Sequence, residues 1–154
     1  MSGHTDAVGC LAFSENNQLV VSGSKDATIK VWDVYSGNCL NTMEAHSDQI
    51  WCIALFKDVI VSGSHDTMLK FWDIRSGNCV KSLKGDTYWV TSVDFSGCGR
   101  FVVSGNQGET IKLWTREKFI QNIPVRSKVW SVKFMGNLIV SAHEDKMVRV
   151  WGFN

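Results

Sequence analysis

Proline is almost missing from this sequence. One residue in 154 is proline, and there is no low-complexity segment and no run of like charge. That excludes a long linker or a disordered tail as an organising feature. No apolar stretch approaches about 18 residues, so no helix-type membrane span is expected. The start, Met1 to Asp6, lacks a basic segment followed by an apolar one, and no secretory leader is expected. Charge of one sign is also lacking. A formal net charge of +1 gives no general attraction for nucleic acid or for a membrane surface. The five cysteines (Cys10, Cys39, Cys52, Cys79, Cys98) are odd in number and none has zinc-knuckle spacing. They read as reduced thiols in an intracellular protein, with Cys39 and Cys79 as small buried residues at equivalent points of a repeat.

What is present is repetition. A phrase that begins Val-Ser and ends in tryptophan closes at Trp32, Trp72, Trp114 and Trp151, in steps of 40, 42 and 37 residues. A period near ~40 marks a repeat built from one supersecondary unit. In the second copy, Ile50 to Leu55 is apolar and β-prone, Val59 to Ser62 is a short apolar run, and Met68 to Trp72 is a third such segment. Cys79 to Leu83 follows the turn Ser76-Gly77-Asn78. These are four strands, a to d, of an antiparallel meander. No helical periodicity is found.

Strand a carries apolar residues at spacings of three and then two: Val8, Leu11, Phe13; Ile50, Ile53, Leu55; Val90, Val93, Phe95; Val129, Val132, Phe134. Strict alternation would give two and two, so a β-bulge after the first member is expected. The small residues Cys10, Cys52, Ser92 and Ser131 are expected to line a crowded axis.

These residues resemble the WD-repeat β-propeller family over essentially the whole chain. Repeats one and two carry the opening Gly3-His4 and Ala45-His46 and the closing Trp32-Asp33 and Trp72-Asp73. The resemblance implies an all-β chain of four blades, 3–43, 45–83, 85–123 and 124–154, forming one domain over 1–154. It also implies a buried network of His4, Ser22, Asp26 and Trp32, repeated as His46, Ser62, Asp66 and Trp72. Repeat three departs from it, with Asp86 in the histidine position and Gly108 for the turn aspartate. Repeat four keeps Ser141, Asp145 and Trp151 but has Val125 in the histidine position. Repeats one and two look most similar to the propellers of F-box substrate receptors.

The same resemblance implies that the bulge residue, and the residue before the turn aspartate, face the channel entrance. Carried over, that rim holds Trp51, Trp89 and Trp130 with Lys25, Gln49, His65, Gln107 and Lys128. Large aromatic groups dominate interface hot spots, so the rim is the expected site for a protein or peptide partner. A hydrolase triad of His4, Asp26 and Ser22 is disfavoured, since the set recurs in register one repeat later. His65-Asp66 and His143-Glu144-Asp145 read as turn residues rather than metal ligands, and no cofactor is expected. The chain is read as a non-catalytic interaction scaffold, with a ubiquitin-ligase receptor fragment or a propeller-scaffolded enzyme as alternatives. Phosphopeptide reading would need clustered arginines, and Arg75, Arg100, Arg116, Arg126 and Arg149 all fall off the rim.

Blade four has no segment for an outer strand. Four blades of this kind are expected to form an open arc, one part of a longer propeller or a self-associating half of an eight-bladed ring.

Overall fold

The computed structural model describes residues 1–85 and 87–152, and every regular element among them is a strand. Blade one contains β1 (Val8–Phe13), β2 (Leu19–Ser24), β3 (Thr28–Asp33) and β4 (Cys39–Glu44). Blade two contains β5 (Ile50–Phe56), β6 (Val59–Ser64), β7 (Met68–Asp73) and β8 (Cys79–Lys84). Blade three contains β9 (Val90–Phe95), β10 (Phe101–Asn106), β11 (Thr110–Thr115) and β12 (Phe119–Pro124). Blade four contains β13 (Val129–Met135), β14 (Leu138–His143) and β15 (Val148–Gly152). Each sheet is an antiparallel meander in chain order. Three are four-stranded, and the last is three-stranded among the described residues, with β15 at its edge.

The hairpins follow from turn chemistry. The Trp-Asp aspartates build the c–d turns: Asp33 Oδ1 accepts from the Ser36 N–H and hydroxyl, both at 2.7 Å. Asp73 does the same with Ser76 at 2.8 and 2.9 Å. Gly37 and Gly77 follow at φ +71, which a residue with a Cβ resists.

The register shifts after Val8, Ile50 and Val129, and opposite the Val90–Ser92 step, so every strand a is bulged. The bulged residues are Gly9, Trp51, Thr91 and Trp130. Extrusion of one residue returns the next apolar side chain to the packed face, which explains the three-then-two spacing.

Adjacent blades pack face to face through strands a and b, and one apolar cluster fills each junction. Val21, Ile29, Val31 and Met43 of blade one meet Ile50, Ile53, Ile60 and Trp72 of blade two. Val61, Leu69 and Phe71 meet Val90, Val93, Val102 and Trp114 at the next junction. Val103, Ile111 and Leu113 meet Val129, Val132, Ile139 and Trp151 at the third. Contact is close enough that a Cβ on Gly23, Gly63 or Gly105 would meet Ile50, Val90 or Val129 of the following blade at 2.5–2.7 Å. Among the described residues no comparable strand contact joins blade four to blade one, and the four blades make an open arc.

Three expectations need correction. Cys39 and Cys79 are not buried; they open the outer strands in solvent. The small strand-a residues face the neighbouring blade rather than an axis: Cys52 Sγ lies 3.6 Å from the Val90 carbonyl, and Ser92 Oγ accepts the Val132 N–H at 3.1 Å. Ser131, against which no further blade packs among the described residues, is exposed. His143 is the last residue of β14 rather than a turn residue, and it is buried.

Candidate functional site

In blade one His4 Nδ1–H donates to Asp26 Oδ2 at 2.9 Å, and Ser22 O–H donates to His4 Nε2 at 2.7 Å. Trp32 Nε1–H donates to the same serine oxygen at 2.8 Å. Blade two repeats the chain with His46, Asp66, Ser62 and Trp72 at 2.8, 2.8 and 2.9 Å. This tautomer gives every polar atom of the chain a partner. Burial would raise the Asp66 carboxyl. Hydrogen bonds from His46 and the Met68 and Ser47 N–H groups outweigh it and hold the group at about 2. Asp26 is also well below its ordinary range: burial is opposed by Thr28, the Thr5 N–H and His4.

The other blades solve the same problem differently. In blade three Trp114 still donates to Ser104 at 2.8 Å. Gly108 has no side chain to cap the turn. Asn106, in the place of Ser24 and Ser64, accepts the Gly108 N–H at 2.7 Å and also reaches the Thr110 N–H at 3.4 Å, the group whose counterpart the turn aspartate caps in blades one and two. Asp86 lies outside the described residues. In blade four Val125 is buried where a histidine was lacking, and Trp151 donates to Ser141 at 2.9 Å. Ser141 in turn pairs with His143 Nε2 at 2.7 Å, an imidazole supplied from strand b. Among the described residues no carboxylate completes this relay. His143 Nδ1 lies toward the Ser127 backbone without closing a well-formed hydrogen bond, and Asp145 is held by Arg149.

Sequence reasoning missed His143 as a network member because it sits two residues after the serine instead of upstream of strand a. It also missed Lys70 and Lys112, which bind the Ala45 and Gly85 carbonyls at 2.8 and 2.6 Å and lie over the Trp72 and Trp114 rings. Their fixed place in the repeat, two residues before the tryptophan, was the available signal.

The rim is built the same way in all four blades. The residue before each turn aspartate, or Gly108, sends its N–H back across the bulge: Lys25 to Ala7, His65 to Gln49, Gln107 to Trp89, Glu144 to Lys128, at 2.9–3.2 Å. One end of every blade therefore presents the bulge residue beside this pair. The structure brings four of the sequence-selected residues together. His65 stacks on Trp89 with centroids 3.8 Å apart and planes 16° apart, and the Trp51 ring lies 5.2 Å from the imidazole at a tilt of 39°. Gln49 Nε2 contacts His65 Nδ1 at 2.7 Å. Trp51 and Trp89 remain 43% and 42% exposed. Burial, and Lys25 nearby, lower the His65 pKa against the opposing pull of Asp48. The imidazole is thus neutral near pH 7, which suits stacking. Lys128 is not a free cation; it pairs with Glu144 at 2.9 Å. Trp130 is half exposed on blade four, a blade away from the Trp51–His65–Trp89 ladder. Among the described residues no group of His, Cys, Asp or Glu is arranged to hold a metal.

The family model of the WD domain, G-beta repeat, matches residues 1–33, 37–73, 77–115 and 118–152. The chain belongs to the WD-repeat family. Each family repeat ends on strand c, so repeat and blade are out of phase: 37–73 takes β4 from blade one and β5 to β7 from blade two. Over 98% of its length the chain is 25% identical to the nuclear distribution protein nudF of Aspergillus niger, of which it spans 40%. A 52-residue stretch is 38% identical to a ribosome biogenesis protein BOP1 homolog of Drosophila grimshawi, of which it covers 6%. Two computationally designed proteins share the fold at 34% identity. Ika4 matches with a TM-score of 0.91, covering 100% of this chain and 96% of that one. Ika8 matches with a TM-score of 0.89, covering 99% of this chain and 48% of that one. WD-repeat propellers generally mediate protein–protein interaction and typically act as non-catalytic scaffolds.

Proposed function

We propose that this WD-repeat chain is a non-catalytic platform that grips an extended partner peptide on the rim of blades two and three. The carrying observation is the Trp51–His65–Trp89 ladder. Two indoles and a neutral imidazole are held by stacking and by Gln49, yet the indoles keep much of their surface in water. Aromatic area in this state is preorganised, and little side-chain entropy remains to be lost on binding. Lys25 and Gln107 flank the ladder, and Trp130 with Lys128 extends the rim to blade four. An intracellular setting accords with the names of the relatives, one for nuclear distribution and one for ribosome biogenesis. A phosphopeptide receptor is less well supported, because Arg75 is engaged by Asp58 and Arg149 by Asp145.

The test is a displayed random-peptide library selected against the wild-type chain. Enriched peptides are then titrated against Trp51→Ala, Trp89→Ala and Trp130→Ala. Loss of more than about 1 kcal/mol in the first two, with unchanged melting, supports the reading. Peptides that bind all three variants as tightly as wild type would place the site elsewhere.

A further inference from the structure

The two ends of the arc carry apolar faces that are buried everywhere else in the molecule. On blade four, Val148 is 67% exposed and Val150 58%, whereas their equivalents Ile29, Leu69, Ile111 and Val31, Phe71, Leu113 are at most 2% exposed. On blade one, Val8 is 50% exposed and Leu11 54%, against 7% or less for Ile50, Val90, Val129 and Ile53, Val93, Val132. Phe13 is exposed beside them, and Val20, at the place of the buried Ile60, Val102 and Ile139, lines an open hollow with Val8, Leu11 and Trp32.

The faces differ in kind. The Val148–Val150 face is the one that blades one, two and three each press onto their successor. The Val8–Leu11 face is the one that blades two, three and four each present to their predecessor. The two are therefore complementary halves of a junction that occurs three times within the chain, and the open arc keeps them apart.

We propose that these faces bind a second copy of this chain, head to tail, so that two arcs close into an eight-bladed ring with two symmetry-related junctions. A second copy presents both complementary faces at once, so neither end is left open, and eight blades fall within the range of closed propellers. The same arc accounts for nearly all of one solved chain and about half of another. The backbone is therefore compatible with as much protein again beyond it. One residue sets the new junction apart. Ala142 stands where the other blades have Gly23, Gly63 and Gly105, and its methyl would meet Val8 of the second copy. That junction is wider than the three internal ones, and the dimer is correspondingly weaker than the fold. The rim ladder of Trp51, His65 and Trp89 belongs to neither end face, so peptide binding and ring closure succeed or fail independently.

Sedimentation equilibrium of the chain, from about 1 to 100 µM, is expected to show twice the 17.2 kDa protomer mass. Leu11→Asp and Val148→Asp, each checked by circular dichroism for a native fold, are each expected to weaken association at least about 100-fold. Mixing the two variants should restore dimers, because the mixed pair keeps one undamaged junction. Ala142→Gly, which introduces no charge, should tighten association by about tenfold. A wild-type chain that stays monomeric across the range overturns the proposal. So does dissociation by Val148→Asp but not Leu11→Asp, which would mean edge pairing of β15 with β15. Failure of the mixed variants to associate overturns the head-to-tail geometry, and an Ala142→Gly chain that associates no better than wild type counts against the junction.

Discussion

At the scale of single residues, stability rests on a buried relay that the family motif spells out twice. Trp72, Ser62, His46 and Asp66 are joined end to end, and removal of the imidazole takes one buried partner from the serine and one from the carboxylate. His46→Ala is expected to cost about 1–3 kcal/mol in urea denaturation. His143→Ala should cost less, since no carboxylate depends on that ring; equal losses would contradict the assignment. Asp66 adds a pH signature. Its pKa falls from 3.8 to about 2 on folding, so the charged form is favoured in the folded state. Its contribution is complete above about pH 4 and is lost as pH falls through 2. Asp66→Asn should therefore lower the urea midpoint at pH 6 and flatten its decline between about pH 4 and 2. A variant whose acid profile parallels the wild type would assign the acid sensitivity to other carboxylates.

At the scale of the element, the b–c hairpin carries strain. The residue after each turn position has a positive φ without being glycine: Ala27 at 66°, Thr67 at 69°, Glu109 at 60° and Lys146 at 68°. Thr67 is the most strained by chemistry, because a β-branched side chain fits the left-handed region poorly. Its backbone is nevertheless needed, since the Thr67 carbonyl accepts the Gly85 N–H at 3.0 Å as the chain enters blade three. Thr67→Gly relieves the strain and keeps that bond. It is expected to raise stability by up to about 1 kcal/mol, the gain being reduced by the entropy of glycine in the unfolded chain. Thermal melts of the two proteins check this, and a lowered melting temperature would show that the threonine side chain matters more than its φ. The bulge of strand a is the second device at this scale. It turns Trp51 and Trp130 outward while Ile53 and Val132 stay in the core.

At the scale of the whole molecule, three junctions are filled and a fourth is open. Each filled junction combines β-branched or aromatic packing with the absence of a Cβ at Gly23, Gly63 or Gly105. Gly63→Ala is expected to lower stability by about 1–3 kcal/mol, because the added methyl meets Val90 in a closed interior. Ala142 carries a methyl at the equivalent place of blade four, against which no blade stands among the described residues. Should Gly63→Ala melt like wild type, the blade junction is looser than the packing indicates.

The sequence by itself determined the strand plan and the bulge, because each is local or recurs at a fixed spacing, while the relay was legible only through the resemblance to the WD-repeat family. A tryptophan every 40 or so residues and a three-then-two apolar pattern need no knowledge of the fold to be read. Tertiary structure alone decided which side chains meet across blades. His65 stacks on Trp89, which lies 24 residues later, because blades two and three press together. Cys39 and Cys79 proved exposed because an outer strand has no neighbour on its far side. His143 took the place of a missing histidine because β14 brings its ring back to Ser141. And apolar residues at the same place of each repeat, such as Leu69 and Val148, ended buried or bare according to whether another blade stands against them.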